Sequence, residues 1–191
     1  MKLFLIRHGE SVANAEGVYT GQSDVPLTAK GRAQAAAITP ILAAVDFDRV
    51  YSSDLSRAVD TQRLALPGRE GECSPLLREY DLGTLAGQNI EEMLRRHGND
   101  FEEKGDYTPF GGENTDMVRA RVEAFLSRLE SEPCENVAVF AHGGVAAVML
   151  GAVLRVSVSE SALTCRNCAI HVFEHNGSRW RLFAWNYMLK A

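Results

Sequence analysis

Three apolar runs each end in residues that can do chemistry. Leu3-Phe4-Leu5-Ile6 stops at Arg7-His8-Gly9, and Val137–Ala141 stops at His142-Gly143-Gly144. Arg49-Val50-Tyr51-Ser52 runs into Ser53-Asp54-Leu55-Ser56-Arg57. Taken singly, each has a bland reading. A His at a strand end is usually hydrogen-bonded structure, a lone Arg is usually solvated, and Gly after His marks a tight turn. Placed together at one edge of one sheet, two imidazoles and two guanidiniums share a crevice. The chemistry that makes such charge tolerable there is the binding of an anion, which planar guanidinium forks hold through paired hydrogen bonds.

Positioning these groups requires strands that lie side by side, and the patterning supplies them. Lys2–Ile6, Arg49–Ser52 and Val137–Ala141 read as short buried strands. Between them, Thr28–Val45 reads as a helix capped by Thr28 and kinked at Pro40. Asp54–Leu66 reads as a helix capped by Ser53 or Asp54, and Gly144–Leu154 as another. Asn114–Glu132 reads as an amphipathic helix with Met117, Val118, Val122, Phe125, Leu126 and Leu129 on its apolar face. Ala169–Glu174 and Arg179–Trp185, around His175-Asn-Gly-Ser, read as a hairpin. Strands alternating with helices predict an α/β fold, a three-layer α/β/α sandwich around a mainly parallel sheet with an antiparallel edge. Ligands in such sheets bind beyond the carboxyl ends of the strands, where the three reactive stretches lie. Residues 1–191 read as a single domain, with a polar insertion near 84–112 over the sheet.

The bulk numbers bound the function. The 191 residues are 46% apolar and 24% charged, with a net charge of −5. The acidic excess is evenly spread, so no basic stripe follows a nucleic-acid backbone. The apolar stretch before Arg7 is too short for a signal peptide or a membrane span. Four cysteines without an export signal fit a reducing cytoplasm. Cys165-Arg166-Asn167-Cys168 has no second pair at zinc spacing and reads as ordinary strand-edge sequence.

Arg7-His8-Gly9-Glu10-Ser11 with Asn14 resembles the signature of the histidine phosphatase superfamily, which includes the cofactor-dependent phosphoglycerate mutases. The likeness continues, in order, through Gly21–Gly31, Tyr51–Thr61, Leu77-Arg78-Glu79, Gly112-Glu113, Ala141–Gly144 and Asn167. The resemblance implies that His8 is the nucleophile and forms a phosphohistidine, its other ring nitrogen tied to a backbone carbonyl. It places Arg7, Asn14, Arg57 and His142 around the phosphoryl oxygens, with the Gly143 N–H as a further donor. Thr20 and Gly21 fall in a loop that relatives use to contact substrate. Glu79 resembles the general acid, since a phosphate dianion favours the protonated form of a neighbouring carboxyl. The bland alternative for Glu79 is a surface pair with Arg78. Two arginines and a protonated histidine would supply the positive charge, so neither metal nor cofactor is expected.

Water or a second substrate can take the phosphoryl group. The implied function is a metal-independent phosphomonoesterase acting on a small phosphorylated metabolite. Mutases of this family have larger insertions and a closing C-terminal tail, whereas this chain ends soon after its last predicted strand. Residues 85–112 also carry three cations (Arg95, Arg96, Lys104) against six carboxylates, the wrong balance for an anion-rich substrate. A non-catalytic phospho-ligand-binding module would be expected to have lost one of His8, Arg7, Arg57, Glu79 or His142. Phe101, Tyr107 and Phe110 could either stack on a leaving group or form the insertion's small core. Oligomeric state is not legible.

Overall fold

Burial with a period of two along the central strands divides the core into two halves. The computed structural model describes residues 1–156, 158, 163 and 165–187. Six strands, β1 (Lys2–Arg7), β2 (Arg49–Ser52), β3 (Glu72–Cys73), β4 (Asn136–Ala141), β5 (Ile170–His175) and β6 (Trp180–Tyr187), form one sheet. Their order is β3-β2-β4-β1-β5-β6. The first four run parallel, and β5 and β6 add the antiparallel edge.

Leu3, Leu5, Val137 and Val139 face one layer, made by α7 (Thr115–Glu130) and α8 (Gly143–Leu154). Ile6, Ala138 and Phe140 face the other, made by α2 (Ala29–Ala37), α3 (Thr39–Leu42) and α4 (Ser56–Ala65). Continuous apolar runs are therefore needed in the central strands β1 and β4, which are covered on both faces. This is the expected three-layer sandwich. No helix among the described residues is long and apolar enough to cross a membrane.

Several local expectations change. The helix predicted over Thr28–Val45 is two helices. Thr28 caps the first, its hydroxyl accepting the Gly31 N–H at 3.0 Å. Pro40 sits in the opening turn of the second, where its missing N–H costs nothing. At α4 neither Ser53 nor Asp54 is the N-cap: Leu55 is, without a side-chain bond. The Ser56 N–H instead finds Asp24 Oδ1 at 2.8 Å, so a distant loop supplies the cap. Met117 is 51% exposed, although the other residues of the predicted apolar face, Val118, Val122, Phe125, Leu126 and Leu129, are buried. Sequence patterning also leaves out α1 (Val12–Glu16), the two-residue β3, and the insertion's α5 (Ile90–His97) and α6 (Asp100–Lys104). β6 runs to Tyr187, two residues beyond the predicted strand. The tail read as too short to close a site, residues 188–191, lies outside the described residues.

Candidate active site

Parallel register brings the two histidines together. Arg7 lies opposite Ala141, so the next residue of each strand is His8 and His142. The His8 N–H extends the ladder by donating to Ala141 O at 2.9 Å. The two imidazole centroids are then 5.2 Å apart. β2 pairs with the other edge of β4, and the helix following it delivers Arg57 to the same end of the sheet. Gly9 lets the chain turn away. A Cβ there would sit 2.4 Å from Gly31 O, so β1's exit packs backbone to backbone on α2.

Beyond these strand ends lies a cleft of about 260 Å³. Of the sequence-predicted residues it brings together Arg7, His8, Asn14, Thr20, Gly21, Arg57 and Glu79 on its walls. His142 and Gly143 do not line it. His142 is fully buried behind the His8 ring, at the start of α8.

The His8 ring is aimed by one bond. Its Nδ1–H donates to Gly9 O at 2.7 Å, leaving Nε2 as the lone-pair nitrogen. Burial, and then Arg57 and Arg7, hold its pKa well below the ordinary imidazole value, so the ring is neutral. His142 is held low by burial and by Arg57, His8, Arg7 and Arg121. His142 is therefore neutral in the ligand-free protein, chiefly because it is buried, with the two guanidiniums adding to the effect. Neither His142 nitrogen has a hydrogen-bond partner among the described residues. A buried polar atom left orphaned in this way fits a site whose partner arrives with the ligand.

The arginines are locked from behind. Arg57 is buried, and its Nη atoms donate to Gly21 O at 2.7 Å and Ser23 O at 3.0 Å. Arg7 Nη1 donates to Cys165 O. Asn14 sits in the capping box of α1, where its Oδ1 accepts the Ser11 N–H at 3.2 Å. That oxygen also accepts Asn167 Nδ2 at 3.3 Å, so its amide NH₂ is the group free to turn to a ligand. Glu79 accepts Tyr80 N–H on Oε1 at 3.0 Å and Gly144 N–H on Oε2 at 3.1 Å. It is not the partner of Arg78, which instead grips Asp54 in a fork at 2.8 and 2.6 Å.

Residues missed by the sequence reading hold Glu79 in place. Arg121 donates to Glu79 O at 3.0 Å and Leu76 O at 2.9 Å, while pairing with Glu113 at 3.2 Å. Gln22 reaches Glu79 O at 3.1 Å. The signal for Arg121 was available: it lies three residues after Val118 and four before Phe125, on the buried face of α7. Asn167, named only by its resemblance, donates to His8 O at 3.1 Å. Of the insertion's aromatics, Phe101 is buried, with Tyr107 and Phe110 packed on it, and only Tyr107 of the three lines the cleft. Cys168 is buried with its thiol pushed up to about 12, so that cysteine is not a reactive one.

Comparison with known proteins identifies the family. The profile of the histidine phosphatase superfamily (branch 1) matches residues 3–188. The adenosylcobalamin/alpha-ribazole phosphatase of Salmonella typhimurium is 34% identical over 161 residues, covering 81% of this chain and 80% of that protein. A 2,3-bisphosphoglycerate-dependent phosphoglycerate mutase of Gloeobacter violaceus is 32% identical over 186 residues, 91% of this chain and 85% of that one. Among solved structures, a mycobacterial glucosyl-3-phosphoglycerate phosphatase complexed with VO3 superposes with a TM-score of 0.88 at 30% identity. That match covers 98% of this chain and 99% of the other. The chain belongs to the histidine phosphatase superfamily, branch 1. Within it, the protein is a phosphomonoester hydrolase.

Proposed function

We propose that the protein hydrolyses a small phosphorylated metabolite through a phosphohistidine on His8, without a metal ion. The observation that carries this reading is the fixed His8 ring, neutral, with Nε2 as its lone-pair nitrogen beside two guanidiniums. Nε2 attacks phosphorus, the P–O bond to the alcohol breaks, and Glu79 gives its proton to the leaving oxygen. Water then attacks the phosphohistidine, Glu79 takes the water's proton, and the P–N bond breaks to return neutral His8 and inorganic phosphate. Arg7 and Arg57 neutralise the phosphoryl oxygens, aided by the Asn14 amide and an N–H of His142. Thr20, Gly21 and the Gly143 N–H complete the phosphate contacts. The net charge and the absence of a basic stripe support a small-molecule partner over nucleic acid. None of the cysteines is in a disulfide, which supports a cytoplasmic setting.

Trapping with a phosphate-labelled ester tests the mechanism. The label is expected on His8 as an acid-labile phosphoramidate, and His8→Ala is expected to lose both label and turnover. Label on His142, or activity surviving in the variant, overturns the assignment.

A further inference from the structure

Gly112-Glu113 precedes α7, and its backbone is pressed against the segment that carries Glu79. A Cβ on Gly112 would lie 2.3 Å from Asp81 O, and the Glu113 N–H donates to the same oxygen at 2.8 Å. The Glu113 carboxylate then gathers donors from three parts of the chain. Its Oε2 accepts the Asp81 N–H at 2.8 Å, Arg121 Nη2 at 3.2 Å and Gln22 Nε2 at 3.4 Å, while Oε1 accepts Arg121 Nε at 3.2 Å. Arg121 and Gln22 in turn both donate to Glu79 O, at 3.0 and 3.1 Å. The Glu113 and Arg121 side chains are mostly buried, 16% and 13% exposed. Gln22 lies between Gly21 and Ser23, whose backbone carbonyls hold the Arg57 guanidinium. The main chain of Glu79 is thus tied to the loop that fixes a phosphate ligand. None of Gln22, Glu113 and Arg121 is among the described residues that line the cleft.

We infer that Glu113 is a positioning residue for proton transfer: with Arg121 and Gln22 it sets where Glu79 stands relative to the phosphoryl group on His8. This rests on the acid role given to Glu79 above and adds what aims it. A carboxyl that must reach the leaving oxygen at hydrogen-bond distance tolerates little backbone drift. The residue types fit the task. A guanidinium donates from three nitrogens in fixed directions, which an ammonium cannot do, and a carboxylate accepts on both oxygens. Glutamine at position 113 would keep the shape but turn an NH₂ towards Arg121 or the Asp81 N–H, a donor facing a donor.

Kinetics on two esters test this: the alkyl phosphate turned over fastest in a screen, and p-nitrophenyl phosphate, whose phenolate leaves unaided. Glu113→Gln is expected to lower kcat/KM for the alkyl ester by about 10–100-fold and for the nitrophenyl ester far less. Inorganic phosphate should inhibit as before, because Arg57 is held through backbone carbonyls. Added to Glu79→Gln, the substitution should cost the alkyl ester little more, since both act on one proton transfer. Equal losses on the two esters, weaker phosphate inhibition in proportion to the lost rate, or full additivity with Glu79→Gln overturns the inference. Melting curves check folding, and if Glu113→Gln unfolds, Gln22→Ala decides by the same criterion of a selective alkyl loss. Glu79→Gln alone separates the two failures. If it spares the alkyl ester, the acid reading falls and takes the inference with it; if it slows that ester selectively and Glu113→Gln does not, only the inference falls.

Discussion

Glu79 is held by two backbone N–H groups, that of Tyr80 on Oε1 and that of Gly144 on Oε2. As general acid it matters only where the departing oxygen needs a proton. Glu79→Gln is therefore expected to slow alkyl phosphates by about 10²–10⁴-fold in kcat/KM. It should slow p-nitrophenyl phosphate far less, because that phenolate leaves unaided. Rates for a series of esters check this: an equal fall for both kinds reassigns Glu79 to positioning. At this scale the sequence was legible where a reactive residue ends an apolar run, as Arg7, His8 and His142 do. Partnerships were not. Arg78 has Glu79 beside it in the chain yet bonds Asp54, because the turn of Pro75–Leu77 sets its direction and no spacing rule encodes that. The protonation of His142 in the ligand-free protein is another case: it follows from burial first and the neighbouring cations second, which only the packed structure reveals.

Between residue and fold stands the start of α8, where Gly144 meets the Glu79 segment. A Cβ on Gly144 would lie 2.4 Å from Glu79 Oε1 and 2.7 Å from the Tyr80 ring. The carboxyl, at the end of a flexible side chain, is the part able to give way. Gly144→Ala is thus expected to leave a folded protein whose acid is displaced. Because displacement by about 1 Å can cost roughly a hundredfold, alkyl phosphatase activity should fall by 10–100-fold. Activity assays beside melting curves check it; a variant that unfolds, or keeps full activity, shows that the contact is not a positioning one. Elements with long apolar patterns, such as β1, β4 and α7, were legible because two covered faces or one buried stripe leave a periodic trace. The five-residue α1 and two-residue β3 leave none. They are set by the capping box of Ser11 and Asn14 and by pairing to β2.

For the whole molecule, three buried histidines couple the fold to pH. His8 and His142 are held well below 6.5, and burial and Arg7 lower His171 to about 4. The unfolded chain binds protons near 6.5, so below that pH it binds more than the native state. Stability is full above about 6.5 and is lost as pH falls towards 4. His171 alone accounts for roughly 3 kcal/mol across that window. The melting temperature is expected to be flat between pH 7 and 8 and to drop steeply from 6.5 to 4.5. A flat profile down to pH 5 would contradict the buried, neutral state of these rings. The alternation of strands and helices made the layers legible, but strand order was not, since β1's neighbours are chosen by packing across long stretches of chain. That order has a consequence for biosynthesis. β1 is made first, yet its partners are β4 and β5, which leave the ribosome only after residue 135. Until then the strand bearing the nucleophile has two open edges, a hazard that favours slow, assisted folding of a high-contact-order sheet. A nascent chain or a fragment stopping before β4 carries His8 but neither the ladder that fixes it nor the ring behind it. Such a chain is expected to stay inactive until β4 and β5 have paired with β1.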